Sequence, residues 1–179
     1  MADHLNRFKK YQAEATLPTG GTSGQVLAKI DEENYNVEWV DQSGGGYELN
    51  PTPPDLSASG DIVEMTVGET VSFGISLYLR FDTYLWKSDA NSVSSMPIVA
   101  MALESKTAGQ LCHVLLRGFI RNDSGWSWTP GGLLYASTSP GALSHTAPGD
   151  SASQVQIAGI AKSAGIIFFN PSYVLVEVA

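Results

Sequence analysis

From Ser57 to Ala179 no apolar stretch has the length or the period of a packing helix. Segments rich in Val, Ile, Leu, Phe and Tyr are short, and Gly, Pro, Asn, Asp or Ser interrupts them about every eight to twelve residues. A chain that must turn that often builds short antiparallel strands, because long elements leave no room for the turns. The strands expected are 62–67, 77–81, 83–87, 98–104, 110–120, 133–137, 155–162, 165–169 and 173–178, with space for a single helical turn near 90–94. Within this region Leu77-Tyr78, Leu85-Trp86-Lys87, Val99-Ala100-Met101-Ala102 and Val114-Leu115-Leu116 are echoed by Leu134-Tyr135, Ala142-Leu143-Ser144, Ala158-Gly159-Ile160-Ala161 and Val174-Leu175-Val176. Two similar halves, each covering the apolar face of the other, predict a small antiparallel β-barrel or sandwich over 57–179.

The first third has a different texture. Asp3 stands as an N-cap before Leu5, Phe8 and Tyr11 at helical spacing, so residues 1–16 read as an N-terminal arm with a short helix too marginal to stand alone. Such an arm is either a frayed terminus or a segment that orders when it docks on another protein. Next comes Leu17-Pro18-Thr19-Gly20-Gly21-Thr22-Ser23-Gly24-Gln25-Val26-Leu27-Ala28-Lys29-Ile30, then Val37-Glu38-Trp39-Val40-Asp41. A strand-turn-strand of this size buries too little apolar surface to offset the entropy of ordering itself. Copies of the chain around a rotation axis supply the missing surface, with Val26, Leu27, Ile30, Val37 and Trp39 burying one another. Residues 17–41 are therefore an oligomerisation module. Residues 42–56, with Gly44-Gly45-Gly46 and Pro51-Thr52-Pro53-Pro54, read as a flexible then stiff linker to the β domain.

The Gly-Gln-Val-Leu core with its spaced Val-Glu-Trp resembles a short module of bacteriophage fibres and head-surface proteins, where it forms an intertwined, usually trimeric stem. The segments Trp86-Lys87-Ser88-Asp89-Ala90, Pro97-Ile98-Val99-Ala100-Met101, Gly118-Phe119-Ile120-Arg121, Gly132-Leu133-Leu134-Tyr135 and Phe169-Asn170-Pro171-Ser172 are similar to β domains of phage capsid decoration, cement and head-fibre proteins. The resemblance implies a homotrimeric structural protein of the virion, assembled in the host cytoplasm and bound to the major capsid protein or another virion protein. Leu5, Phe8, Tyr11 and Leu17 are the expected attachment residues. A tail or head fibre contacting the host surface is the alternative.

Composition narrows the partners. The chain of 179 residues carries 18 acidic and 10 basic residues, a net charge of −8, which disfavours a nucleic-acid binder because phosphate contacts need clustered Lys and Arg. No signal-like or membrane-length apolar run occurs, and the lone Cys112 forms no internal disulfide, so neither membrane nor disulfide framework is expected.

Catalytic templates fail: the Gly20–Gly24 loop lacks the Lys of a phosphate loop, and no Ser sits in a nucleophile elbow. His4, His113 and His145 have no metal-ligand spacing, and Cys112 and His113, as strand neighbours, point to opposite faces. Asp31, Glu32, Glu33 and Glu38 lack the pattern of a calcium loop and read as a solvated turn. The expectation is a protein that is not an enzyme and has no cofactor or metal. Trp126-Ser127-Trp128, read as a strand, places two indoles on one side, either to stack on a host glycan or to fill a barrel end or subunit interface.

Overall fold

The computed structural model describes residues 18–23, 25–30, 37–41 and 49–179. They belong to two units, one ending at Tyr47 and the other beginning at Glu48. The expected attachment residues Leu5, Phe8, Tyr11 and Leu17, and the acidic residues Asp31, Glu32 and Glu33, lie outside the described residues. In the first unit, β1 (Gln25–Lys29) pairs antiparallel with β2 (Val37–Asp41), placing Val26 opposite Val40 and Leu27 opposite Trp39.

The second unit is mainly β, as the punctuation of the sequence predicts. Its strands are β3 (Ser57–Thr66), β4 (Ser76–Leu79), β5 (Leu85–Lys87), β6 (Ile98–Ala102), β7 (Leu111–Arg121), β8 (Leu133–Ala136), β9 (Leu143–Ser144), β10 (Gln154–Val155), β11 (Ile157–Ala161), β12 (Ile166–Phe169) and β13 (Val176–Glu177). Among the described residues the helical content is one 3-10 turn, Val93–Ser95. One large antiparallel sheet runs in the order β5-β4-β6-β7-β12-β11-β8-β9, with β3 alongside β7, and curls into a half-barrel.

The sequence echo is visible in this order. Strands β5-β4-β6-β7 and β9-β8-β11-β12 repeat one connectivity: a hairpin, a strand beside its first arm, then a further antiparallel strand. The fourth pair of the echo is corrected, because the counterpart of β7 is β12. Of 174–176 only Val176 is in a strand, and that strand pairs with β10 outside the main sheet. Matching apolar triplets could not tell a core strand from a peripheral bridge.

β7 joins the halves. β3 pairs with it from Leu111 to Arg121, β6 pairs only with Val114 and Leu115, and β12 only with Gly118 to Arg121. The register of β3 on β7 slips by one residue at Asp61/Ile62. Alternation would put Leu115 and Ile120 on opposite faces, since their spacing is odd; the bulge restores them to the same one. Both are fully buried in the larger core cluster with Ile98, Met101, Leu134, Ile167 and Phe169. Cys112 and Val114, facing the other way, join Val67, Val71, Leu77, Leu85, Ala100 and Ala102 in a second cluster. Each buried Leu, Ile or Phe contributes about 1.5–3 kcal/mol, so these two clusters carry most of the stability.

The curl brings its ends together. The Ser76 amide donates to the Gly141 carbonyl at 2.8 Å, Gly141 donates to the Ser88 carbonyl at 2.7 Å, and Ala90 donates to the Ser137 carbonyl at 3.0 Å. Beneath this seam the buried hydroxyls of Ser76 and Ser88 hydrogen-bond at 2.7 Å.

The proline-rich part of the expected linker does not behave as a spacer. Pro53 is buried, its carbonyl accepts from Arg121 at 3.3 Å, Thr52 Oγ1 accepts from Lys162 at 2.8 Å, and Asp55 accepts from the Asp123 amide at 2.8 Å. The β domain thus begins before Ser57, and the unit boundary falls at Tyr47/Glu48. Composition marks a stiff segment but does not record that its carbonyls have found donors.

Candidate functional site

Two features offer surface for interaction. In the hairpin unit, cross-strand partners share a face, so Leu27, Trp39 and Val37 lie on one side and Val26 with Val40 on the other. The expected interface residues therefore form two surfaces. Val40 shares the Val26 face and escaped the sequence reading because the pairing register, which is not written in composition, puts it opposite Val26. Val26 is 41% and Ile30 52% exposed within the chain. Trp39 is half-buried already: its Nε1–H donates to the Pro18 carbonyl at 2.9 Å, and its ring lies so close to Gly21 that a Cβ there would meet it at 2.8 Å. Gly21 has a positive φ of 94°, so the Gly/Thr/Ser loop folds over the indole.

The second feature is a cleft of about 310 Å³ in the β domain. It lies where three segments meet: Phe73-Gly74-Ile75 before β4, residues 122–128 after β7, and Gly141-Ala142 with Leu143 at the start of β9. The expected strand at Trp126–Trp128 is corrected to a loop. Residues Asn122 to Gly125 turn, and the following amides go to different partners, Trp126 to the Asn122 carbonyl at 3.2 Å and Trp128 to the Ala164 carbonyl at 2.9 Å. The two indoles still meet, with centroids 6.2 Å apart and planes tilted by 47°. Both are half-buried and pack on the larger core cluster.

The loop is fixed from several sides. Asn122 Oδ1 accepts the Gly125 amide hydrogen at 2.8 Å, and Trp126 packs on Gly74, where an added Cβ would lie 2.9 Å from the ring. Trp128 meets the edge of the His145 ring at 5.2 Å. The Thr129 amide donates to His145 Nε2 at 2.9 Å, which leaves the ring proton on Nδ1, donating to the Leu133 carbonyl at 2.9 Å. His145 is thus a brace for the tryptophan loop. Trp128 Nε1 is fully buried and has no hydrogen-bond partner.

The remaining titratable candidates have structural roles. Cys112 is buried and His113 points outward, as strand alternation predicts, and burial pushes the Cys112 thiol up, with the nearby Glu104 charge adding to it. His113 lies between Glu104 Oε1 at 2.9 Å and Glu64 Oε1 at 3.5 Å. Hydrogen bonds from the His113 backbone and ring, reinforced by Lys106, hold the Glu104 carboxyl down to about 2. Among the described residues no group of three or more His, Cys, Asp or Glu is arranged to hold a metal ion. Glu38 lies exposed on β2.

The tip of the β4–β5 hairpin was missed by the sequence reading. Phe81 is 89% exposed there, with the Arg80 guanidinium over its ring at 4.9 Å and over Trp86 at 4.6 Å. Its signal was a bulky aromatic in the turn 80–83, where a polar residue is the norm.

No protein-family model matches this chain, and no curated protein matches it.

Proposed function

We propose that the protein is a structural component of a bacteriophage head, a trimeric decoration or cement protein that binds and reinforces the capsid shell. The observation that carries this reading is the two-faced apolar hairpin at residues 25–41, with Val26 and Val40 on one side and Leu27, Val37 and Trp39 on the other. A lone two-stranded hairpin is marginal in water. A twofold contact covers one face of each hairpin, whereas a ring gives each hairpin a neighbour on both sides, and three copies make the smallest ring. The resemblance of this segment to phage stems agrees with that count. In this reading residues 1–16 contact the major capsid protein, and the β domain is the displayed head. Many copies on one shell multiply a modest contact, so each attachment needs only weak affinity.

Sedimentation of the full chain tests self-association, and electron microscopy of particles incubated with it tests attachment. The full chain is expected to be a trimer. Val26→Asp, which places a charge on an apolar face, is expected to sediment as a monomer with an intact β domain. A chain lacking residues 1–16 is expected to stay trimeric and fail to decorate particles. A monomeric full chain, or normal decoration by the truncated one, overturns the reading.

A further inference from the structure

We propose that the cleft walled by Phe73, Trp126, Trp128 and Leu143 is a binding site for an uncharged, hydroxyl-rich ring, that is, a short saccharide. The inference does not rest on the capsid reading, since it concerns a different unit of the chain.

Three properties select this ligand class. The first is shape: about 310 Å³ lies at the lower end of the range of small-ligand sites, roughly 300–1,000 Å³. The indoles, tilted at 47°, give a folded aromatic wall that suits the C–H face of a sugar ring better than a flat base or a long chain. The second is charge, because none of the residues lining the cleft carries an ionisable side chain. An anion finds no cation there and a cation finds no carboxylate. The third is hydrogen bonding. Asn122, which lines the cleft, spends its side-chain oxygen on Gly125, which leaves its amide hydrogens to offer to a hydroxyl oxygen. Aromatic walls plus unspent amide hydrogens fit a neutral polyol ring.

The site is also prepared in advance. The Asn122 turn, the Ala164 carbonyl, the His145 brace and the Gly74 contact hold both indoles before any ligand arrives, so binding orders little that is not ordered already. Gly74, with φ of 83°, is a residue the cleft requires, because any side chain there takes up a strained backbone conformation and collides with the Trp126 ring that walls the cleft.

The test is a titration of the ¹⁵N-labelled full chain with methyl glycosides of glucose, galactose, mannose and N-acetylglucosamine and with their short oligomers, followed by nuclear magnetic resonance. The chain has four tryptophans, hence four indole N–H signals, assigned by single substitution. The Trp126 and Trp128 signals are expected to move saturably with at least one glycoside, at a Kd of about 1 mM, while those of Trp39 and Trp86 stay. Trp126→Ala is expected to weaken binding about tenfold or more. Asn122→Asp keeps the oxygen that accepts from Gly125 but removes the amide hydrogens, and is expected to weaken binding roughly tenfold with the turn intact. Circular dichroism of each variant separates lost binding from lost structure. No movement with any glycoside, movement of all four signals alike, or movement with a proline-rich peptide in place of the sugars overturns the proposal.

Discussion

The side chain of Gln156 grips the backbone of Ile98 with both ends of its amide: Oε1 accepts from the Ile98 N–H at 2.7 Å, and Nε2 donates to the Ile98 carbonyl at 3.0 Å. The second Nε2 hydrogen goes to the Ser172 carbonyl. An amide side chain reproduces a peptide group, so Gln156, lying between β10 and β11, supplies one rung of ladder to the start of β6. It ties the second half of the sheet to the first, and it is 1% exposed.

Removing this clasp strands the buried backbone groups of Ile98 and leaves the half-buried Ser172 without its donor. Gln156→Ala is expected to lower stability by about 3 kcal/mol, combining unpaired backbone groups with lost packing. Urea unfolding checks it: the midpoint should fall with the slope unchanged. Gln156→Glu keeps the acceptor but loses both donors and buries an acid, so it should do no better. A shift within about 0.5 kcal/mol, as for an ordinary surface substitution, contradicts the clasp.

Gly60 and Gly118 sit directly opposite each other on β3 and β7. A Cβ on Gly118 would lie 2.2 Å from the Ser59 carbonyl oxygen and 2.7 Å from the Gly60 Cα, all backbone that cannot swing aside. Here β7 exchanges β6 for β12 as its neighbour, and the close approach lets the strands bend past each other. Gly118→Ala is expected to cost about 3 kcal/mol or more. Gly109→Ala, at φ 82° with open space around the new methyl, should cost only the left-handed strain of about 1–2 kcal/mol. Equal losses in chemical denaturation refute the packing argument.

Acid should weaken the β domain in a defined window. Glu104 accepts the His113 amide at 2.8 Å, the His113 ring at 2.9 Å and Lys106 at 3.2 Å, and its carboxyl is lowered from 4.5 to about 2. A carboxylate with a lowered folded pKa contributes stability that is fully present above its unfolded value and is lost as pH falls through the folded one. Stability should therefore decline from about pH 4.5 toward about pH 2. Asp123, held down by its hydrogen bond from Arg121, acts in the same direction. Glu104→Gln is expected to flatten part of this decline while leaving Asp123's share. Thermal unfolding across that pH range reads it, and an unchanged slope in Glu104→Gln rules out the Glu104 contribution.

Much of the fold was legible because β structure writes itself in punctuation. Turn residues every few positions dictate short strands, and the echo between Leu77–Ala102 and Leu134–Ala161 records two halves of like connectivity. The opposite orientations of Cys112 and His113 follow from alternation alone. What depends on register was hidden. Val40 joins Val26 only through pairing, Leu115 and Ile120 share a face only because one residue bulges out, and Gln156 looks like any polar residue until Ile98 lies beside it. Trp126 and Trp128 stand out in the sequence by type but were misplaced by element, because hydrogen bonds to Asn122 and Ala164 set the path of their loop.

The sequence by itself determined that this chain makes short antiparallel strands in two related sets, since local turn chemistry and apolar spacing act within a few residues. Only the tertiary structure decided how the sets join along β7, which residues close the seam, and where the cleft opens. Those outcomes come from contacts between residues far apart in the chain, whose free energies have no local signature.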